Sequence, residues 1–329
     1  MQPAEAKKTL KLGSGMLQQL LAFTSLIVLI VVFSFASENF FQFSNIVGIL
    51  LSTAVIGVLA LGSTFVIITG GIDLSVGTVM TLSAVMTGVF ITFWDFPVWL
   101  GVIGGILTGA LCGFLSGALV ARLKIMPFIA TLAIMMIAKG LALVISGTKP
   151  IYFNDDPGFR KIAQGSVLGE LIPGFTIPNA VLIFFLAAIV AGVILSRTII
   201  GRYNFALGSN EEATRLSGVN VNFWKVVIYT ITGLFTGLAG VLIASRLSSA
   251  QPALGAGYEL EAIAAVVIGG TSLSGGKGTI VGTVIGALIM SVLTNGLRIL
   301  SVPQEWQTVV VGLVILLAVY TDMLRRRKK

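Results

Sequence analysis

Three groups of residues in this 329-residue chain have the type and spacing to do chemistry. The first is Leu273-Ser274-Gly275-Gly276-Lys277, which approaches a phosphate-binding loop. Such a loop needs a glycine at its first position and a hydroxyl directly after the lysine. Thr271 and Gly278 stand at those two places, so a tight glycine turn is the expectation. The second group is Asp73 in Gly70–Gly77, GGIDLSVG. A carboxylate there can hold a proton or an ion. It can equally cap the next helix through the amides of Ser75 and Val76. The third is Asn210, Glu211, Glu212 and Arg215. Ser209 or Asn210 can cap a short helix, with both glutamates in its first turn and Arg215 placed to pair with Glu211. Gly218 then ends that helix. Gly208 and Gly218 bracket the unit, so it is expected to tilt as one piece. With no histidine and one cysteine, Cys112, metal centres and nucleophile–histidine pairs are excluded. The same shortage of acid–base pairs argues against a membrane-embedded enzyme. No cofactor is expected.

These residues must be positioned by helices in a membrane. The chain is 56% hydrophobic, 10% charged, and has a mean hydropathy of +1.02. A soluble chain carries about 25% charged residues. The fold class is therefore all-α: a polytopic helical membrane protein. Apolar runs suggest about ten spans, at 17–37, 45–69, 74–93, 98–121, 126–147, 178–196, 224–245, 259–272, 279–299 and 306–321. The eighth is short and suits a broken or re-entrant helix. The spans form one domain, 17–321, between an N-terminal tail, 1–16, and a basic tail, 322–329. The first run follows Lys7, Lys8 and Lys11 and is too long for a signal peptide, so an uncleaved span is expected. Gly109, Gly113 and Gly117 flank Cys112 and suit close helix packing.

Of the 21 basic residues, 15 fall on the side of the two termini and the polar segment 197–223. The basic excess puts that side in the cytoplasm. The net charge of +8 follows this membrane pattern, and no nucleic-acid partner is expected. The opposite side carries the long loop 148–177 and six basic residues, including Arg246, Arg298, Lys149 and Arg160. Snorkelling at the membrane boundary explains them, as does docking of an acidic partner.

Gly70–Gly77 has an echo in Gly269–Gly276, GGTSLSGG. The two share a glycine pair, a Leu-Ser step and a closing glycine. Both glycine turns, Gly70-Gly71-Asp73 and Gly269-Gly270 with Gly275-Gly276, lie at the cytoplasmic ends of spans, so the internal repeat is parallel. Paired glycine breaks in two halves mark transport paths. Charges at mid-depth are nearly absent, Lys139 being the main exception. An ion-driven secondary carrier lacks its relay, which points to an outside energy source. The residues show no cluster of aromatics and carboxylates like a tight site for a small polar solute.

The longer stretches carry a resemblance. GGIDLSVG (70–77), PFIATL (127–132), GRY with ALGSNEEATRLSGVNV (201–221) and SRLSSAQPALGAGYELEAIAAVVIGGTSLSGGKGTIVGT (245–283) closely resemble permease subunits of bacterial ATP-binding cassette monosaccharide importers, above all the ribose-type permeases. The resemblance implies the importer permease fold in the bacterial inner membrane. It implies a dimer with a second permease subunit, two ATPase subunits on the cytoplasmic face, and a periplasmic or lipid-anchored sugar-binding protein. It makes 197–223 the ATPase-coupling segment, with Asn210, Glu211, Glu212 and Arg215 in it. The expected function is passage of a ribose-like sugar without catalysis by this chain. The alternative is a self-contained carrier or channel for a small polar solute.

Overall fold

Apolar runs bounded by Pro, Gly and charged residues become helices in the computed structural model, which describes residues 14–154, 157–172 and 176–327. In order they are α1 (Ser14–Ala36), α2 (Phe43–Ile68), α3 (Val76–Gly88), α4 (Val98–Ala121), α5 (Pro127–Ile145), α6 (Pro157–Gln164), α7 (Val167–Leu171), α8 (Asn179–Arg197), α9 (Ile199–Ser209), α10 (Glu211–Leu216), α11 (Val221–Leu247), α12 (Tyr258–Ile268), α13 (Ile280–Ile299) and α14 (Gln304–Arg327). A π-helical turn, Val89–Phe93, continues α3.

Eight of the described helices are long and apolar enough to cross a membrane: α1, α2, α3 with its π turn, α4, α5, α8, α11 and α13. The remaining two expected spans are α12 and the apolar part of α14, Gln304–Tyr320. With 11 residues, α12 is about 16 Å long. That is half the roughly 30 Å hydrocarbon core, so α12 is the broken member of the set. The basic tail is helical as far as Arg327. Lys7, Lys8, Lys11, Lys328 and Lys329 lie outside the described residues.

The centre of the bundle is α2, buried on all sides from Thr53 to Ile68. A helix apolar all round belongs inside. Its neighbours are α11, α13, α8 and α12. Between α4 and α11 the backbones touch: a Cβ on Gly109 would sit 2.7 Å from the Gly237 Cα, and one on Gly113 2.9 Å from the Gly233 Cα. Small residues four apart allow this approach, as expected around Cys112, which is half-buried beside the seam. Threonines join the helices at depth. Thr232 donates to the Gly62 carbonyl at 2.8 Å, and the Thr64 and Thr283 hydroxyls pair at 2.8 Å. Each such bond contributes about 1 kcal/mol.

The loop 148–177 is built rather than slack. Its strand β1 (Ile151–Tyr152) pairs antiparallel with β2 (Ser249–Ala250). Phe153 packs on buried Phe159 at 4.1 Å between ring centroids. The Ser245 hydroxyl at the end of α11 donates to the Phe159 carbonyl and accepts from the Ala163 amide. Asp155 and Asp156 lie outside the described residues.

Candidate functional site

The polar segment 197–223 folds into two short helices under one end of the bundle. Asn210 breaks α9 from α10 in an extended conformation, and its Oδ1 accepts from the Ala213 amide at 2.9 Å. Glu211 and Glu212 then face the positive end of the helix dipole. Glu211 pairs with Arg215 at 3.0 Å, and Gly218, at φ +84°, closes the turn. Only local signals were needed for that geometry, and they were readable in the sequence.

Two features were not. Lys225 reaches Glu211 at 2.6 Å, so this carboxylate is held by two cations inside the chain. Glu212 is left exposed. Beside it Leu216 is 84% exposed.

Gly208 is not a hinge. It lies inside α9, and a Cβ there would overlap the Ile68 carbonyl and sit 2.6 Å from the Gly276 amide. That carbonyl in turn accepts from the Gly276 amide at 2.9 Å. The end of α2, the loop before α13 and α9 therefore meet backbone to backbone at one point. Behind them Tyr203 packs on Trp224 at 4.9 Å, fixing α9 to α11.

This junction contains both glycine turns. Gly70 (φ +80°) and Gly270 (φ +95°) end α2 and α12 in the left-handed region. The Gly71 amide returns to the Val66 carbonyl, and the Thr271 amide to the Val266 carbonyl. The structural repeat thus pairs Gly70 with Gly270, one residue off the pairing of the sequence echo. The requirement is positive φ at the second residue after the helix, and Gly71 and Gly269 do not carry it. The loop after the second turn comes back to the first, since a Cβ on Gly275 would sit 2.9 Å from the Gly70 amide, so α2 and α12 end on the same side of the bundle, as a parallel repeat requires.

Asp73 is 4% exposed. Its Oδ1 accepts from the Ser75 amide at 2.8 Å and the Ser75 hydroxyl at 2.6 Å. It does not reach the Val76 amide as the capping expectation had it, because α3 starts one residue after Ser75. The turn is clamped from α5, where the Thr131 hydroxyl accepts from the Leu74 amide at 3.2 Å and donates to the Pro127 carbonyl at 2.9 Å. Burial pushes the Asp73 carboxyl up from 3.8, and the two Ser75 hydrogen bonds pull it partway back. A raised value means that ionisation costs the folded state. Stability therefore falls as pH rises from 3.8 through the folded value. Asn accepts both bonds without that cost. Asp73→Asn is expected to melt at or above the wild type at neutral pH, and Asp73→Leu below it by about 1–3 kcal/mol of lost stability. Equal melting of the two variants would contradict this role.

The amides a phosphate loop would present are already engaged. The Gly275 amide donates to the Ser272 carbonyl and the Gly276 amide to Ile68. Lys277 is exposed to solvent.

At the opposite end Lys149 and Arg160 are exposed, and Arg160 bonds Gln164 at 2.9 Å. Arg246 is different. It turns inward, donating to Ser52 on α2 at 3.2 Å, and with Arg298 it lines a cavity of about 500 Å³ between α2, α11, α12, α13 and α14.

Among known proteins, residues 45–319 match the family described as branched-chain amino acid transport system / permease component. The chain is 44% identical to the ribose import permease protein of Haemophilus influenzae, with 94% of each chain covered. The same figures hold for the ribose import permease protein of Bacillus subtilis. The fructose import permease protein of Rhizobium meliloti is 40% identical over 88% of this chain and 80% of its own length. No solved structure matches. A multi-pass bundle with two parallel glycine turns, matched over most of its length by such relatives, belongs to this permease-component family.

Proposed function

We propose that the chain is the membrane permease subunit of an ATP-driven importer for a monosaccharide of the ribose type, in the bacterial inner membrane with both termini in the cytoplasm. Hydrolysis then belongs to separate ATPase subunits, and a second permease subunit and a sugar-binding protein complete the assembly. The observation that carries this reading is the junction at Gly208. The short helical knob α10, with its exposed Leu216, follows directly on α9, whose Gly208 is seated backbone to backbone on the end of α2 and the loop before α13. A push on α10 passes through Asn210 to α9 and from there to the end of α2 and the loop before α13. A self-contained carrier has no use for such a knob, and an ion-coupled one would need more mid-depth charges than the few the described spans carry. Chain isolated from its native membranes is expected to bring an ATPase with it. Recovery of the chain alone, from membranes that still import the sugar, would overturn the proposal.

The orientation has its own test. In a Cys112→Ala background, Arg215→Cys and Glu170→Cys place thiols at exposed positions on opposite ends. On intact cells an impermeant reagent is expected to label position 170 and spare position 215. Labelling of both would contradict the orientation.

A further inference from the structure

The cavity beside Arg246 collects charges that a membrane bundle does not gather without a use. Only 10% of the chain is charged, yet Arg246 from α11, Glu261 from α12 and Arg298 from α13 line one space. Tyr258, Gln307 and Thr308 add a phenol, an amide and a hydroxyl. Arg246 is held inward by Ser52, and Gln307 by its bond to the Val302 carbonyl at 2.7 Å. Among the described residues no ion pair joins Glu261 to either arginine within 4.0 Å. All three line the cavity without closing into a direct pair. Arg246 and Glu261 are partly buried there, and their desolvation must be offset by water or by a polar occupant, while Arg298 closes the exposed side.

The mixture decides the class of occupant. Guanidinium groups only donate, and a carboxylate only accepts. Hydroxyls and the amide do both. A group of neighbouring hydroxyls, each donating and accepting, satisfies such a lining in full. An anion would meet Glu261, a cation would meet two arginines, and an apolar molecule would strand all three charges. The volume of about 500 Å³ lies in the range of small-molecule sites, roughly 300–1,000 Å³. Arg246 also receives the Gln164 side chain on its carbonyl, which puts the cavity directly beneath the folded loop 148–177. We propose that this cavity is a binding site for a neutral polyhydroxyl ligand, with Glu261, Arg246 and Arg298 as its anchoring groups. The inference rests on the sugar-import reading and adds the place where the sugar first rests inside the permease. It replaces outward docking as the role of Arg246 and Arg298.

The test uses the full chain in lipid nanodiscs, probed by saturation-transfer NMR with D-ribose, D-fructose and D-allose in turn. The same sugars are tried in uptake by the complete transporter with its ATPase and binding protein. The imported sugar is expected to bind the isolated chain saturably. Arg298→Gln and Glu261→Gln are each expected to weaken that binding about tenfold or more. Uptake should slow in both, while the concentration of loaded binding protein giving half-maximal rate stays the same. Arg298 is exposed, so its variant leaves the core intact even where Glu261→Gln lowers the melting temperature. Binding unchanged in Arg298→Gln overturns the proposal. So does a half-maximal concentration that rises while sugar binding is kept, which is the outcome for a docking surface. Import of a sugar that the isolated chain fails to bind overturns it too. If the complete transporter imports none of the three, the sugar-import reading itself has failed, and the inference fails with it.

Discussion

Gly208→Ala is expected to cut sugar uptake by at least about tenfold while the ATPase still co-purifies with the chain. The sign makes this variant informative. Alanine inside a helix is ordinarily better than glycine by about 1 kcal/mol. Gly208 lies within Ile199–Ser209, so propensity alone predicts a gain. The new methyl would instead meet the Ile68 carbonyl and the Gly276 amide, both backbone groups that cannot swing aside. The knob would be levered off the two glycine turns. ATP hydrolysis should continue but lose its stimulation by loaded binding protein. Wild-type uptake by Gly208→Ala would show that the junction carries no motion.

Leu216→Asp is expected to act at the other face of the same knob. The side chain is 84% exposed, so the substitution costs the isolated bundle little. Buried in a partner's pocket it would contribute at least about 2 kcal/mol, roughly a 30-fold change in affinity. ATPase recovery should fall by about that factor, with the chain still in the membrane. The glutamates separate into two roles. Glu212→Lys tests docking directly, because Glu212 is free to face a partner. Glu211→Lys breaks pairs with Arg215 and Lys225, each contributing at most about 1 kcal/mol at such exposure. A larger loss from Glu211→Lys than from Leu216→Asp would reverse this assignment.

What the sequence shows of this site is what lies within one helical turn. Asn210, Glu211, Arg215 and Gly218 cap, pair and terminate α10 through neighbours three to four residues away, and those rules are local. The short α12 was also legible, since its apolar run is simply not long enough to cross. Gly208 misled because its partners, Ile68 and Gly276, are remote in the chain. A glycine just before a polar run reads as a hinge until the helix end packed on it is seen. The repeat register slipped by one for a related reason: letters align the glycine pairs, whereas the backbone aligns the residues that need positive φ, Gly70 and Gly270. The cavity was hidden most deeply. Arg246, Glu261, Arg298 and Gln307 sit on four helices, and each alone has an ordinary reading as a membrane-boundary or helix-end residue.

The central claim is that this chain moves a sugar only when an ATPase drives it through 197–223. The most direct measurement is uptake into proteoliposomes containing the chain, with ATPase and loaded binding protein added singly and together. Uptake of labelled D-ribose, D-fructose or D-allose is expected only when all three proteins and ATP are present, and to vanish in Gly208→Ala. Uptake by the chain alone, down a sugar gradient or driven by an ion gradient, would contradict the account.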